Sequence, residues 1–67
     1  MTDDEYIHAC WGMEESGGHF VQKLAQLYYV ADGANRLLLR INFYSYFEKG
    51  LEDYEYLNRR RLIARTG

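Results

Sequence analysis

The chain has 67 residues, nearly half of them apolar, and a single cysteine, so it can form one small domain, spanning residues 1–67, but no internal disulfide. Cys10, His8 and His19 are too few for the four ligands of a structural zinc site, and we therefore expect no metal and no cofactor. The net charge of −2 disfavours nonspecific binding to nucleic acid. The first residues are acidic, unlike those of a signal peptide, and the sequence has no apolar run of about 20 residues that could span a membrane. We therefore expect a cytoplasmic protein.

The first predicted element is a short helix from about Asp3 to Trp11. Thr2 and Glu5 have the spacing of a capping box, and acidic residues fill the first turn, where they favour the positive end of the helix dipole. Gly12 is expected to stop this helix. Its apolar residues repeat at intervals of three and four and form one stripe: Tyr6, Ile7, Cys10 and Trp11.

A turn is expected over residues 14–18, with Ser16 as the cap of the helix that follows. This second helix has Phe20 as its first apolar residue and ends near Asp32-Gly33, and polar side chains lie opposite its apolar face. Asp32 can then serve as the N-cap of a third helix. The apolar face of the second helix consists of Phe20, Leu24, Leu27, Tyr28 and Ala31.

The third segment, Asn35 to Lys49, is apolar on two sides. One stripe consists of Leu37, Leu38, Ile41 and Tyr44, and the other of Leu39, Phe43, Tyr46 and Phe47. Alternating residues also permit a strand, but the segment is long for a strand and no second stretch alternates. We therefore predict a helix that packs one side on the second helix and the other on a partner chain. The expected hairpin interior consists of Leu24, Leu27, Leu38 and Ile41.

Gly50 is expected to interrupt this helix, and a last short helix then runs from Leu51 to about Leu62. A basic tail over about residues 59–67 complements the dipole of that helix, although such a tail can also contact nucleic acid. Its basic residues are Arg59, Arg60, Arg61 and Arg65. The predicted fold class is all-α: a short helical hairpin (helix-turn-helix) with a short N-terminal and a short C-terminal helix. We expect a homodimer, because the chain is too short to bury all of its apolar surface.

No group of residues predicts catalysis. Cys10 with His8 or His19 could form a nucleophile pair, but no third residue orients the histidine. Gly17 and Gly18 before a helix could bind an anion, yet they lack the longer glycine pattern of nucleotide loops and fit a tight turn. We therefore expect a protein that is not an enzyme and has no catalytic, cofactor-binding or metal-binding residues.

Tyrosine and arginine supply the candidate partner-binding residues. Tyr29 lies off the apolar stripe of the second helix and should reach solvent. Arg36 and Arg40 are one helical turn apart, and Tyr44 continues their line. Tyrosine and arginine often dominate binding energy, so these four residues are the predicted partner-binding site. The alternative is that Tyr44 belongs to the core and the arginines only confer solubility.

The segment from Gly18 to Leu38 contains a recognisable pattern. Its residues are Gly18-His19-Phe20-Val21, Leu24-Ala25, Tyr28, Ala31-Asp32, Asn35-Arg36 and Leu38. The pattern resembles a group of small bacteriophage early and accessory proteins that take over the host, including inhibitors of quorum sensing and pilus assembly. The resemblance implies a dimeric helical hairpin that inhibits a host protein, such as a transcription regulator or a pilus ATPase, by stoichiometric binding. In that group a proline usually follows the third helix, whereas this chain has Tyr44-Ser45-Tyr46-Phe47.

Two other functions remain open from the sequence. The chain could be an anti-CRISPR or other anti-defence protein whose acidic N-terminal segment occupies a nucleic-acid-binding groove. It could also be a small DNA-binding regulator that uses the arginine tail. Salt dependence separates these possibilities, because a regulator should bind DNA with a steep salt slope and an inhibitor should not bind DNA by itself.

Overall fold

A computed structural model describes residues 1–66, and the side chains of residues 1–60. Four helices make up this part of the chain: α1 (Asp3–Ser16), α2 (His19–Val30), α3 (Gly33–Asn42) and α4 (Tyr44–Thr66). The described residues contain no strand, which confirms the predicted all-α class and excludes the strand interpretation of the third segment. The side chains of Arg61 and Arg65, which belong to the predicted basic tail, lie outside the described residues.

Two predicted helix starts are confirmed in atomic detail. The Glu5 N–H donates to Thr2 Oγ1 at 3.1 Å, and the Thr2 N–H donates to Glu5 Oε1 at 2.7 Å, which completes the capping box of α1. The Asn35 N–H donates to Asp32 Oδ1 at 2.9 Å and caps α3. Ser16 does not cap α2 as predicted, because α1 is longer than expected and includes it. Gly18 stands at the N-cap of α2 instead.

Gly12 and Gly50, which were predicted to interrupt helices, lie inside α1 and α4. The two helices cross so closely that a Cβ at Gly12 would overlap the carbonyl oxygen of Gly50 and lie 2.8 Å from the Tyr54 nitrogen. A glycine inside a helix costs about 1 kcal/mol relative to alanine. The close packing of the two backbones offsets that cost. The predictions that α1 ends near Trp11 and that a break occurs at Gly50 are therefore wrong.

Helices α1 and α4 run parallel, because contacts between them advance in the same direction along both. The Tyr6 and Phe47 rings lie 5.4 Å apart between centroids, and the Trp11 and Tyr54 rings lie 5.8 Å apart. Parallel neighbours need a connection that returns the chain to its starting end. Helix α2 supplies it by turning back across α1 after Gly17.

The break between α3 and α4 falls at Phe43 rather than at Gly50. Phe43 has φ −125° and ψ 30°, its N–H donates to the Leu39 carbonyl, and its own carbonyl accepts from the Tyr46 N–H. The Phe43 ring packs against those of Phe20 and Tyr46, at 6.3 and 6.0 Å between centroids. Neither glycine nor proline marks this position, so the bend follows from tertiary packing and not from a local turn signal.

The core is centred on α1 instead of on the predicted hairpin interior. It consists of Tyr6, Ala9, Cys10, Met13, Leu24, Ala25, Tyr28 and Phe47. Of the four residues predicted to fill the hairpin, Leu24 is buried as expected. Leu27, Leu38 and Ile41 are 51%, 56% and 68% exposed, so their assignment to the core is wrong. Helix α3 runs back along α2 but is splayed from it. Its inward-facing residues Leu39, Arg40 and Phe43 hold it against the core instead.

Among the described residues, no helix combines the length and the apolar character that crossing a membrane requires.

Candidate protein-docking surface

Helix α3 buries one of its two apolar sides and leaves the other uncovered. Leu39 and Phe43 face inward and pack against the core while remaining partly accessible. Leu37, Leu38 and Ile41 face outward, with more than half of each side chain accessible. The sequence indicated two apolar stripes on this helix, and the stripe that was expected inside the hairpin is the exposed one.

The exposed stripe continues into a groove between α2 and α3. Leu27 and Val30 form its α2 side, and Val30 is 81% exposed. Leu38 and Leu39 form its α3 side, and Asp32 lies at its rim. The groove has a cavity volume of about 490 Å³. We define the α2/α3 surface as Leu27, Val30, Leu37, Leu38 and Ile41.

The α2/α3 surface is large for a chain of this size. Fully burying an aliphatic side chain contributes about 1.5–3 kcal/mol at about 25 cal/mol per Å², which corresponds to roughly 60–120 Å² per side chain. At their observed exposures of 51–81%, the five side chains together present roughly 300 Å² of apolar area. That value reaches the range of the largest apolar patch on ordinary monomers, which is often functional.

Tyr29, the first residue of the predicted partner-binding site, is half-buried and contacts α1. Its hydroxyl donates to Glu14 Oε1 at 2.8 Å. Burial, together with the neighbouring Glu14 carboxylate, raises the pKa of the Tyr29 phenol. Tyr29 is therefore less accessible to solvent than predicted, and its hydroxyl joins α2 to α1.

Arg36 closes the C-terminal end of α2. Its Nε donates to the Tyr28 carbonyl at 3.0 Å, and its Nη2 donates to the Tyr29 carbonyl at 3.1 Å. These carbonyls belong to the last turn of α2, where a positive charge also complements the helix dipole. The guanidinium lies 4.8 Å from the centre of the Tyr28 ring. Arg36 thus ties α3 to the end of α2.

Arg40 connects α3 to two other helices. Its guanidinium lies 4.2 Å from the centre of the Tyr6 ring in α1. Its Nε and Nη2 donate to the Tyr28 hydroxyl at 3.0 and 2.8 Å, and Nη2 also pairs with Asp3 at 2.8 Å. Because the Asp3 side chain is 88% exposed, the tyrosine contacts carry most of the stabilisation.

Tyr44 lies three residues beyond Ile41 and is 45% exposed, while Arg36 and Arg40 line a recess on the α1 side of α3 together with Leu37. The structure therefore does not gather the four predicted residues into one accessible patch: Tyr29, Arg36 and Arg40 are engaged within the chain. Whether any of them also contacts a partner stays a prediction. The sequence signal for an uncovered face was the presence of two apolar stripes on α3, but the stripe that was expected to meet a partner chain is the one that packs against the core.

The candidate nucleophile is set in the core. Cys10 is fully buried, and burial, with a smaller effect of Glu14, raises the pKa of its thiol to about 12. A thiol with that pKa is protonated at neutral pH and is a poor nucleophile. Within residues 1–60, no three histidine, cysteine, aspartate or glutamate side chains come together as a metal site would require.

Comparisons with known proteins place no relative beside this chain: no protein-family model, no curated protein and no solved structure matches it significantly.

Proposed function

We propose that the protein acts by binding another protein through the α2/α3 surface. The observation that carries this proposal is the exposed outer stripe of α3, in which Leu37, Leu38 and Ile41 are each more than half accessible. An uncovered apolar stripe bordered by a groove is typical of an interface. It offers no convergent set of polar groups for chemistry on a substrate.

The occupant that best suits this surface is an amphipathic helix of the partner. Such a helix lays its apolar side chains into a groove between two helices. Here Leu27 and Val30 would contact them from α2, and Leu38 from α3. The polar side chains of Asp32 and Asn35 lie at the edge of the groove, where they would contact the polar rim of the interface.

The resemblance to bacteriophage host-takeover proteins points to the class of partner. In that case the partner is a host protein, such as a transcription regulator or a pilus ATPase, and stoichiometric occupation of its helix inhibits it.

A second copy of the chain is the alternative occupant, and the predicted homodimer stays a prediction. Two copies meeting through the α2/α3 surface would remove roughly 600 Å² of apolar area, or about 1,000 Å² in total at an apolar share of about 60%. Specific interfaces begin near that size. Self-association through this surface would therefore be weak and dependent on concentration.

The test compares the wild type with Leu38→Asp and with Tyr56→Asp as a matched control. Tyr56 is 58% exposed on α4 and lies outside the α2/α3 surface. Each variant is immobilised and exposed to a host lysate, and captured proteins are identified by mass spectrometry. We expect a protein that the wild type and Tyr56→Asp capture in equal amounts and that Leu38→Asp does not.

Two further measurements make the result decisive. Thermal unfolding should be nearly the same for Leu38→Asp and the wild type, because Leu38 is exposed, whereas Leu24→Asp should unfold the protein. Light scattering over a range of concentrations detects the homodimer. The proposal is wrong if Leu38→Asp captures every protein that the wild type captures, or if the wild type forms a tight dimer that Leu38→Asp abolishes and no other protein is bound.

A further inference from the structure

A second recessed site lies on α1 and α4 and shares no residue with the α2/α3 surface. Where the two parallel helices pass at Gly12, their outer edges enclose a pocket with a cavity volume of about 260 Å³. Its walls combine aromatic rings, one carboxylate and one amide. The lining residues are Trp11, Gly12, Glu15, Tyr54, Leu57 and Asn58.

The aromatic wall of this pocket is held in place from behind. His8 stacks on Tyr54 with a centroid distance of 4.6 Å and an angle of 15° between the rings. His8 also lies 5.2 Å from Trp11, so the three rings pack as one group. Trp11 nevertheless remains 46% exposed, which leaves part of the indole accessible at the pocket. The accessible ring is therefore preorganised for a ligand, because the packing restricts its rotation.

The side chains that line the pocket suit a cation. Glu15, beside the indole, is the one charged residue among the described residues of the lining, and Arg59 and Arg60, which follow Asn58 on α4, are not part of that lining. The face of a tryptophan ring is the strongest aromatic partner of a cation, and a nearby carboxylate adds a charge-assisted hydrogen bond. The Asn58 side chain brings an amide oxygen that can accept a further hydrogen bond.

We propose that this pocket binds the side chain of an arginine from a partner polypeptide. Arginine fits better than lysine because its planar guanidinium can stack on Trp11 and donate two hydrogen bonds to Glu15 at the same time. Leu57 contacts the aliphatic part of the side chain. The site is independent of the proposed function, because it shares no residue with the α2/α3 surface and can be occupied while that surface is free.

Trp11 provides a direct signal for the test, because it is the single tryptophan of the chain. The probe is the capped tripeptide acetyl-Gly-Arg-Gly-amide, titrated at constant ionic strength while the fluorescence of Trp11 is recorded. The matched neutral probe has citrulline in place of arginine, which keeps the shape and removes the charge. We expect saturable binding of the arginine peptide and binding of the citrulline peptide that is weaker by about fivefold or more.

Two variants assign the effect to the pocket. Glu15→Gln removes the carboxylate while the exposed position preserves folding, and it should weaken the arginine peptide by about fivefold or more. Glu48→Gln removes an equal charge from α4, about 15 Å along the helix from Asn58, and should leave binding unchanged. The proposal is overturned if the arginine peptide does not change the fluorescence or if citrulline binds equally well. It is also overturned if the two variants weaken binding to the same extent, because that result would indicate a general effect of net charge.

Discussion

The crossing of α1 and α4 makes a sharp prediction for Gly50→Ala. In most helix interiors this substitution stabilises a protein, because alanine has the higher helix propensity by about 1 kcal/mol. At Gly50 the added Cβ would lie 2.5 Å from Met13 Cγ and 3.2 Å from the carbonyl carbon of Ala9. The carbonyl carbon of Ala9 is a backbone atom of α1, so it cannot move aside as the end of a flexible side chain could. The two helices must separate instead.

The magnitude follows from two opposing effects. Overpacking a close contact costs about 1–3 kcal/mol, and here the separation also loosens the core residues on both sides of the crossing. The gain in helix propensity returns about 1 kcal/mol. The difference is at most about 2 kcal/mol, and because the core loosens as well we expect Gly50→Ala to lower the free energy of unfolding by about 1–2 kcal/mol, which for a domain of this length is a fall in melting temperature of roughly 4–16 °C.

Gly33→Ala is the matched control for this measurement. Gly33 is the first residue of α3, no atom lies within 4 Å of the position that a Cβ would take, and its φ is not positive. The same chemical change should therefore raise the free energy of unfolding by about 0.4–1 kcal/mol. The assay is thermal and urea unfolding followed by circular dichroism. If Gly50→Ala proves as stabilising as Gly33→Ala, the close crossing of α1 and α4 is refuted.

Two further predictions concern polar contacts. Arg40→Ala should lower the free energy of unfolding by about 2–3 kcal/mol, because it removes charge-assisted hydrogen bonds to Tyr28. Asp3→Asn should change the free energy of unfolding by less than about 1 kcal/mol, because Asp3 is exposed. Urea unfolding of both variants tests these values. The Glu5 carboxylate accepts a hydrogen bond from the Thr2 N–H, and this bond lowers the pKa of Glu5. The capping bond therefore contributes fully to stability above the ordinary glutamate pKa of about 4.3. Its contribution is lost as the pH falls through the lower pKa of the folded state. A pH titration of Glu5 followed by NMR should give the lowered value, and the stability difference between the wild type and Glu5→Gln should vanish in acid. An unshifted pKa would contradict the role of Glu5 in the cap.

The local signals of the sequence were reliable where the physics is local. Thr2 and Asp32 cap the helices that their spacing predicted, and both act within three residues of their own position. Leu24 was placed correctly in the core because it lies at the centre of a single apolar stripe. Phe43 shows the opposite case: its backbone angles depend on packing against Phe20, which is 23 residues earlier in the chain.

The two interior glycines explain why the long-range arrangement was missed. In sequence, a glycine within an apolar pattern looks like a point where a helix ends, because it has poor helix propensity and often follows the last helical residue. Gly12 and Gly50 instead create the space that lets two backbones approach. This role is visible only in the folded structure, where the two glycines, 38 positions apart in the sequence, lie against each other. Once α1 and α4 occupy the centre, the α2–α3 hairpin is displaced to the side.

That displacement also determines which side of α3 stays exposed. Arg36 and Arg40 lie on the side that faces the core, where they bond to the Tyr28 carbonyl and the Tyr28 hydroxyl and stack on aromatic rings. The outward stripe has no such partners and consists of aliphatic side chains. Leu38 and Ile41 are more than half accessible, so polar residues at these positions would be compatible with the fold. Since the fold does not require them to be apolar, the apolar character of this stripe favours a binding role, and it is at Leu38 that the proposed docking is best tested.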